Sequence, residues 1–192
     1  MIEPLHSVRV LGFAGSLRRA SYNRALLRAA TELAPEGMLI EIFDLLPIPL
    51  YNADVETRGD PEPVVAFRQA IRQADGVLMV TPEYNHGVPG VMKNAVDWAS
   101  RPPGDAALNG KPVAIIGASP GLTGTARGKS QLRQAFEFTN SYAMPQPELL
   151  VFRANEKFDA EGKLTDQTTR ELLRKFLEAF GAWTMRFKPA TA

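Results

Sequence analysis

Two patterns of apolar residues alternate along the chain. Short, nearly continuous apolar runs are typical of strands inside a parallel sheet, whereas apolar residues at every third or fourth position are typical of amphipathic helices. The short runs predict strands at residues 8–14, 39–43, 76–80, 112–117 and 148–152. The longer pattern predicts helices at residues 23–33, 64–73, 88–100 and 126–139, and a last helix with Leu172, Leu173, Phe176, Leu177 and Phe180 on one face. The proline-rich residues 44–63 are predicted to be irregular.

The alternation of strands and helices predicts an α/β fold with helices on both faces of a parallel sheet. Five strands in this rhythm fit the flavodoxin-like order 2-1-3-4-5, a three-layer α/β/α sandwich that forms one domain over residues 1–192. Ligands of such sheets bind beyond the carboxyl ends of the strands, where the order reverses between strands one and three. The candidate functional loops are therefore residues 15–23, 81–90 and 118–128.

Composition excludes several classes of function. With 22 basic and 21 acidic residues the net charge is +1, so no nucleic-acid partner is expected. The absence of cysteine excludes disulfides and thiolate catalysis, and His6 and His86 are too far apart in sequence to suggest a histidine-rich metal centre. No apolar run is long enough for a membrane span, and no secretory signal precedes the first strand, so we expect a soluble cytoplasmic protein.

The first loop has the chemistry of a phosphate site. It joins a buried strand to a helix start, where backbone N–H groups lack intrahelical acceptors and the helix dipole favours an anion. Ser16, Ser21 and Asn23 can add hydrogen bonds, and Arg18 or Arg19 can add charge. We therefore predict a phosphorylated ligand here; the structural alternative is a solvated loop before an ordinary capped helix.

Two common phosphate motifs fail on spacing. The dinucleotide fingerprint G-x-G-x-x-G does not match, because Gly12 and Gly15 are three residues apart and the next glycine is Gly37. Gly128, Lys129 and Ser130 resemble the end of a Walker A loop, but its first glycine would fall at Thr123. A cup of hydroxyl and guanidinium groups remains, which suits a terminal monophosphate better than a pyrophosphate.

The second and third loops suit a flat heterocycle. Pro82 and Pro89 stiffen the second loop, while Gly87 and Gly90 allow close backbone approach, so its amides can face acceptors on one edge of a ring. Tyr84 can lie against a ring face, although packing is the commoner role of such a tyrosine. His86 is either catalytic or, more commonly for a lone loop histidine, structural. The third loop offers Ser119 and several flexible amides.

Three stretches carry a family resemblance. They are Gly15-Ser16-Leu17-Arg18-x-x-Ser21-x-Asn23, then Pro82-Glu83-Tyr84-Asn85 continuing through Pro89-Gly90-x-x-Lys93-Asn94-Ala95-x-Asp97-Trp98, and the loop at Ser119. In order and spacing the chain resembles the NADPH-dependent FMN reductase family, which includes bacterial chromate and quinone reductases and azoreductases. The match covers roughly residues 8 to 152.

The resemblance implies bound FMN and NADPH or NADH as electron donor, with hydride passing to flavin N5 and on to a small acceptor. It implies that the FMN phosphate binds Ser16, Arg18, Ser21 and Asn23. The isoalloxazine ring would lie against the backbone of Pro82, Glu83, Tyr84 and Asn85 and be closed off by Ser119, with no catalytic side chain and no metal. Family members usually form dimers or tetramers, so a homo-oligomer is expected. Ordinary structural roles are expected for four residues of the second motif. Asn94 braces the loop, Lys93 faces solvent, Asp97 is solvated or caps a helix, and Trp98 packs in the core.

One departure from the family pattern concerns the third loop. Similar proteins often carry a glycine pair before the arginine of this loop, and here Gly124 is followed by Thr125. Threonine has fewer accessible backbone angles, which makes this loop the weakest part of the resemblance.

The sequence leaves the reaction partners open. Quinones, azo dyes, chromate and free flavin all suit an open flavin site. Arg101 and Arg127 are candidates for the 2′-phosphate of NADPH, which we expect to be used at least as well as NADH; the alternative for each is a solvated surface arginine. A flavodoxin-like electron carrier and an FMN-binding regulatory module are the rival functions, although flavodoxins are strongly acidic and lack the Pro-Glu-Tyr-Asn loop.

Overall fold

The structure, a computed structural model, describes residues 8–188. His6 lies outside these residues. The strands of the structure are β1 Val8–Ala14, β2 Met38–Phe43, β3 Gly76–Val80, β4 Pro112–Ala118, β5 Tyr142–Ala143 and β6 Leu150–Val151. Its helices are α1 Tyr22–Glu32, α2 Ala53–Thr57, α3 Glu62–Gln73, α4 Gly90–Ala99, α5 Ala126–Thr139 and α6 Gln167–Met185, with a short 3₁₀ helix at Ala154–Glu156.

The strands form one parallel sheet in the order β2-β1-β3-β4-β5, and β6 also pairs with β4. One face of the sheet is covered by α1 and α6 through residues such as Leu26 and Phe176. The other face is covered by α3, α4 and α5 through residues such as Phe67, Met92 and Leu132. The predicted three-layer flavodoxin-like fold and its strand order are confirmed.

The fifth strand position differs from the prediction of one strand at residues 148–152. Val113 of β4 pairs with Ala143 of β5, whereas Ala118 pairs with Val151 of β6. Pro145 and Pro147 lie between the two short strands, and proline lacks the N–H group that a sheet ladder needs. The intervening segment therefore leaves the sheet.

Side chains of α5 hold this intervening segment. Arg133 donates to the Met144 carbonyl at 2.9 Å, and the buried Lys129 ammonium lies 3.2 Å from the Glu148 carboxylate. The third loop rests on the strand that follows, because the Ser119 N–H donates to the Val151 carbonyl at 2.9 Å.

Helices α2, α3, α4 and α6 each differ from the sequence prediction. The irregular segment 44–63 contains α2, capped by the Asn52 side chain, and α3 begins at Glu62 because proline is tolerated in a first turn. Helix α4 begins at Gly90, after Pro89, rather than at residue 88. In α6 the side chain of Leu172 is 49% exposed and lies outside the buried stripe.

Candidate active site

The three candidate loops meet at the carboxyl edge of the sheet. The Gly15 N–H donates to the Val80 carbonyl at 2.9 Å, and the Thr81 N–H donates to the Ile116 carbonyl at 2.9 Å. The ends of β1, β3 and β4 are thus fastened side by side, as the strand order requires. The loops that follow these strands therefore form one site.

The first loop presents unused donors. Within residues 8–188 the backbone N–H groups of residues 16–20 donate no hydrogen bond, and the guanidinium of the exposed Arg18 has no partner. The Ser16 side chain is buried, with its hydroxyl 3.5 Å from the Tyr84 hydroxyl. Ser21 caps α1, accepting from the Asn23 N–H at 3.2 Å. Unpaired N–H groups before a helix start, beside a guanidinium, favour an anion.

Asn23 has a second role that the sequence did not reveal. Its buried carboxamide donates to the Ala118 carbonyl and accepts from the Ala118 N–H, both at 2.9 Å. This pair of bonds fastens the start of α1 to the end of β4 and so holds the first loop against the third. Direct contact between Asn23 and a phosphate stays a prediction.

The second loop turns tightly between Tyr84 and Gly87. The Gly87 N–H donates to the Tyr84 carbonyl at 2.9 Å, and the Tyr84 N–H donates to the Gly87 carbonyl at 3.2 Å. Asn85 and His86 have φ angles of 50° and 62°, the left-handed conformation of a type I′ turn. The glycines of this loop are not the residues with positive φ. The turn leaves the Tyr84 ring 53% exposed.

The Glu83 side chain joins the second loop to α5. The side chain is only 9% exposed, and its carboxylate accepts from the Arg127 N–H at 2.9 Å, the Gly128 N–H at 3.1 Å and the Arg127 guanidinium at 3.2 Å. Burial raises the pKa of Glu83, but the hydrogen bonds from Gly128 and Arg127 outweigh burial, so the pKa lies below its ordinary value. Sequence reasoning assigned Glu83 only a backbone role.

Helix α5 supports the second loop at two further points. Gln131 accepts from the Val88 N–H at 2.6 Å. A Cβ atom on Gly128 would lie 3.2 Å from the Gly87 carbonyl oxygen and 3.3 Å from the Pro82 carbonyl oxygen, so glycine allows the helix to approach the loop closely. The loop is therefore a rigid platform rather than a free connection.

The third loop also presents free donors. The N–H groups of residues 122–125 donate no hydrogen bond within the described part of the chain. The half-buried Ser119 accepts from the Gly121 N–H at 3.1 Å through its hydroxyl. Free N–H groups thus lie on two sides of the platform.

Comparison with known proteins shows which family the chain belongs to. A family model described as NADPH-dependent FMN reductase matches residues 8–156. The chain belongs to this family. It is 48% identical to an NAD(P)H-dependent FMN reductase of Pseudomonas aeruginosa, over 94% of this chain and 97% of that protein. It is 44% identical to a quinone reductase of Pseudomonas putida, over 95% of this chain and 96% of that protein.

A solved structure of similar architecture is FerB, a flavoenzyme NAD(P)H:(acceptor) oxidoreductase from Paracoccus denitrificans. The TM-score is 0.86 at 35% identity, and the match covers 94% of this chain and 98% of that chain. The described fold is therefore that of a flavoenzyme.

The three loops fit the FMN that this family uses. The free N–H groups of residues 16–20 and the Arg18 guanidinium suit its phosphate. The free N–H groups of residues 122–125 suit carbonyl and ring-nitrogen acceptors on one edge of an isoalloxazine ring. The residues present therefore fit FMN, with free donors in the first and third loops for its phosphate and ring.

Thr125, which follows Gly124 where similar proteins often have a second glycine, adopts an unfavourable backbone conformation. Thr125 has φ 73°, a conformation that favours glycine, and its buried hydroxyl has no hydrogen-bond partner in the described part of the chain. A β-branched residue in this conformation is strained. The third loop nevertheless keeps the left-handed geometry that a glycine would supply.

Both arginines considered for the NADPH phosphate are already paired. Arg101 lies beyond the C-terminal end of α4, away from the second loop, and its Nε lies 3.0 Å from the Glu56 carboxylate. Arg101 therefore does not lie at the edge formed by the three candidate loops, and the structure does not support it as a contact for the 2′-phosphate. Arg127 is half exposed but pairs with Glu83.

The other residues of the second motif are also placed. Trp98 is fully buried, as expected, and Lys93 pairs with Asp97 on the surface of α4. Asn94 braces the chain at Pro49 and Tyr51 rather than the second loop. It accepts from the Tyr51 N–H and donates to the Pro49 carbonyl, both at 2.8 Å.

Among residues 8–188, no helix is both long and apolar enough to cross a bilayer, and no group of acidic or histidine side chains is placed to hold a metal ion.

Proposed function

We propose that this protein is an FMN-dependent NAD(P)H oxidoreductase that passes electrons to a small acceptor, of which a quinone is the best supported. The observation that carries the proposal is the set of free N–H groups in the first and third loops, on either side of a rigid second loop at one edge of the sheet. The family and the names of its closely similar members support the same reaction.

Each loop has a separate task in this proposal. Ser16, Arg18 and Ser21 hold the FMN phosphate, and Asn23 positions the loop that carries them. The backbone of residues 82–85 supports the ring, and Ser119 closes the far edge. Bound FMN supplies the two-electron chemistry between donor and acceptor. The N–H groups of residues 122–125 would hold one edge of the ring and would supply fixed dipoles that favour negative charge there, so no side chain would have to act as acid or base.

A quinone is favoured because several relatives are named for quinone reduction and because large apolar and aromatic side chains are exposed on or beside the loops of the site. Leu122 on the third loop and Phe152 after β6 are exposed large apolar side chains, and the exposed Tyr84 ring stands on the second loop. A planar, weakly polar acceptor matches such a rim. Initial rates with a benzoquinone, an azo dye, chromate and free FMN test this choice, and we expect the highest kcat/KM with the quinone.

We also propose that the protein is a homodimer or homotetramer and works in the cytoplasm. The assembly is supported by Leu46 and Leu50, which are 65% and 82% exposed in the connection between β2 and α3. A contiguous exposed apolar patch is typical of contact surfaces, and Leu46 and Leu50 lie four residues apart in the same segment. Sedimentation equilibrium gives the molecular mass in solution, and a monomer at micromolar concentration would contradict the proposal.

Anaerobic mixing of FMN-loaded protein with NADPH separates the proposed function from its rivals. A reductase loses its flavin absorbance band rapidly and regains it when a quinone is added. A flavodoxin-like carrier or an FMN-binding regulatory module stays yellow with either nicotinamide donor. A net charge of +1 argues against the carrier, because carriers of that kind use acidity to dock basic partners.

Arg18→Ala is expected to weaken FMN binding by about ten- to a hundredfold without unfolding the protein. A charge-assisted contact contributes about 1.5–3 kcal/mol, and the Arg18 guanidinium has no internal partner to lose in the described structure. Fluorescence titration of apoprotein with FMN measures the effect. Unchanged affinity would show that Arg18 does not contact the phosphate.

His86→Gly is expected to keep FMN affinity and the rate of flavin reduction, because glycine accepts the φ of 62° and the proposal gives the imidazole no task. Asn85→Val is expected to weaken FMN binding by about tenfold, because a β-branched residue at φ 50° costs about 1–2 kcal/mol. Titration with FMN and single-turnover reduction by NADPH measure the two properties. Loss of reduction in His86→Gly with FMN still bound would make His86 a catalytic residue.

A further inference from the structure

A cavity of about 440 Å³ opens beside the first loop. One wall is formed by the first loop and α1, and the other by the turn at residues 159–162 that precedes α6. Its volume falls within the range of small-molecule sites, roughly 300–1,000 Å³. Because the first loop also forms the phosphate cup, the cavity adjoins the phosphate end of the FMN site.

Three guanidinium groups line this cavity without partners. Within residues 8–188, the side chains of Arg18, Arg19 and Arg28 form no hydrogen bond and no ion pair. Their neighbour Arg24, one turn before Arg28 on α1, instead pairs with Asp44 at 3.4 Å and does not line the cavity. The unpaired positive charge is therefore concentrated at the cavity rather than spread evenly along the helix.

The turn opposite α1 leaves room for a guanidinium. A Cβ atom on Gly162, which has φ 79°, would lie only 3.1 Å from a terminal nitrogen of Arg28. The carboxylate of Asp159 is engaged within its own turn, accepting from the Lys163 N–H at 2.7 Å. Glu161 is thus the one lining carboxylate without such a bond in the described chain, and the cavity keeps an excess of positive charge.

We propose that this cavity binds the phosphorylated adenosine half of NADPH, with Arg19 and Arg28 contacting the 2′-phosphate. The inference rests on the proposed function. It assigns Arg18 to the FMN phosphate and leaves the other two guanidinium groups for a second dianion. NADH lacks that phosphate, so these two arginines set the preference between the donors. A planar guanidinium group donates two parallel hydrogen bonds to a phosphate. Each of the two arginines therefore contributes a large share of the selectivity for NADPH over NADH.

Arg19→Gln and Arg28→Gln test the proposal through donor selectivity. With FMN at saturation and its occupancy measured by absorbance, the ratio of kcat/KM for NADPH to kcat/KM for NADH is expected to fall about tenfold in each variant. The double variant is expected to lose most of any preference for NADPH. Arg24→Gln, the same change one turn away at a paired arginine, should keep the parent ratio.

Calorimetric titration with 2′,5′-ADP supplies a readout that needs no turnover. The FMN-loaded parent protein should bind 2′,5′-ADP more tightly than 5′-AMP, and Arg19→Gln and Arg28→Gln should remove that difference. Equal affinity for the two nucleotides in the parent, or loss of selectivity in Arg127→Gln instead, would overturn the inference. If neither donor bleaches the parent flavin, the proposed function itself fails, and that outcome is distinct from an unchanged selectivity ratio.

Discussion

Gly117→Ala is expected to lower the free energy of unfolding by about 3 kcal/mol and to abolish tight FMN binding. A Cβ atom at position 117, near the end of β4, would meet the Thr125 hydroxyl oxygen and the Thr81 carbonyl oxygen, both well under 3.0 Å. Inserting a methyl group into a well-packed core costs about 1–3 kcal/mol. We expect the upper end, because the Thr81 contact is with backbone. Urea unfolding and FMN titration measure the two effects.

The double variant Gly117→Ala with Thr125→Gly separates the two contacts. Removing the Thr125 side chain relieves one clash, and glycine also accepts the φ of 73° at that position. The contact with the Thr81 carbonyl remains, since it belongs to the backbone directly after β3, so rescue should be partial. Full recovery of stability would show that only Thr125 excludes a side chain at position 117, whereas no recovery would place the whole cost on the backbone.

The parts of the fold that sequence predicted are those set by local pattern. The apolar runs at β1 and β3 were recognisable because both faces of these strands are buried, so nearly every residue is apolar. The split at the fifth strand position was missed because the apolar residues near Leu150 look like one strand. Helix α2 was missed because Ala53–Thr57 is too short to show helical periodicity.

The strand order and the residues of the first loop predict where the candidate site lies, but not what holds it together. The strand order predicts that the three loops meet at one edge of the sheet. The partners of Glu83 lie 44 and 45 residues away, and the partner of Asn23 lies 95 residues away. No sequence spacing encodes such contacts. The left-handed turn also fell on Asn85 and His86 rather than on the glycine that follows, because asparagine tolerates positive φ.

Glu83→Gln is expected to lower the free energy of unfolding by about 1.5–3 kcal/mol at neutral pH and to weaken FMN binding. The carboxylate accepts three charge-assisted hydrogen bonds from the start of α5, whereas the amide keeps only one acceptor oxygen and brings donors toward N–H groups. Because this contact fixes the second loop, the binding platform loosens together with the fold. Thermal unfolding with and without FMN measures both.

The change in stability of the parent protein at acid pH tests the role of Glu83 most directly. The pKa of Glu83 is lower in the folded than in the unfolded chain, so its stabilisation is complete above the ordinary glutamate pKa of about 4.3. The stabilisation disappears as the pH falls through the lowered pKa. Glu83→Gln lacks this titration, so the stability difference between parent and variant should shrink as the pH falls below about 4. Glu41→Gln, which removes an exposed carboxylate paired with Arg9, should follow the parent curve throughout. A constant difference between parent and Glu83→Gln across this range would mean that the Glu83 charge does not hold the second loop to α5.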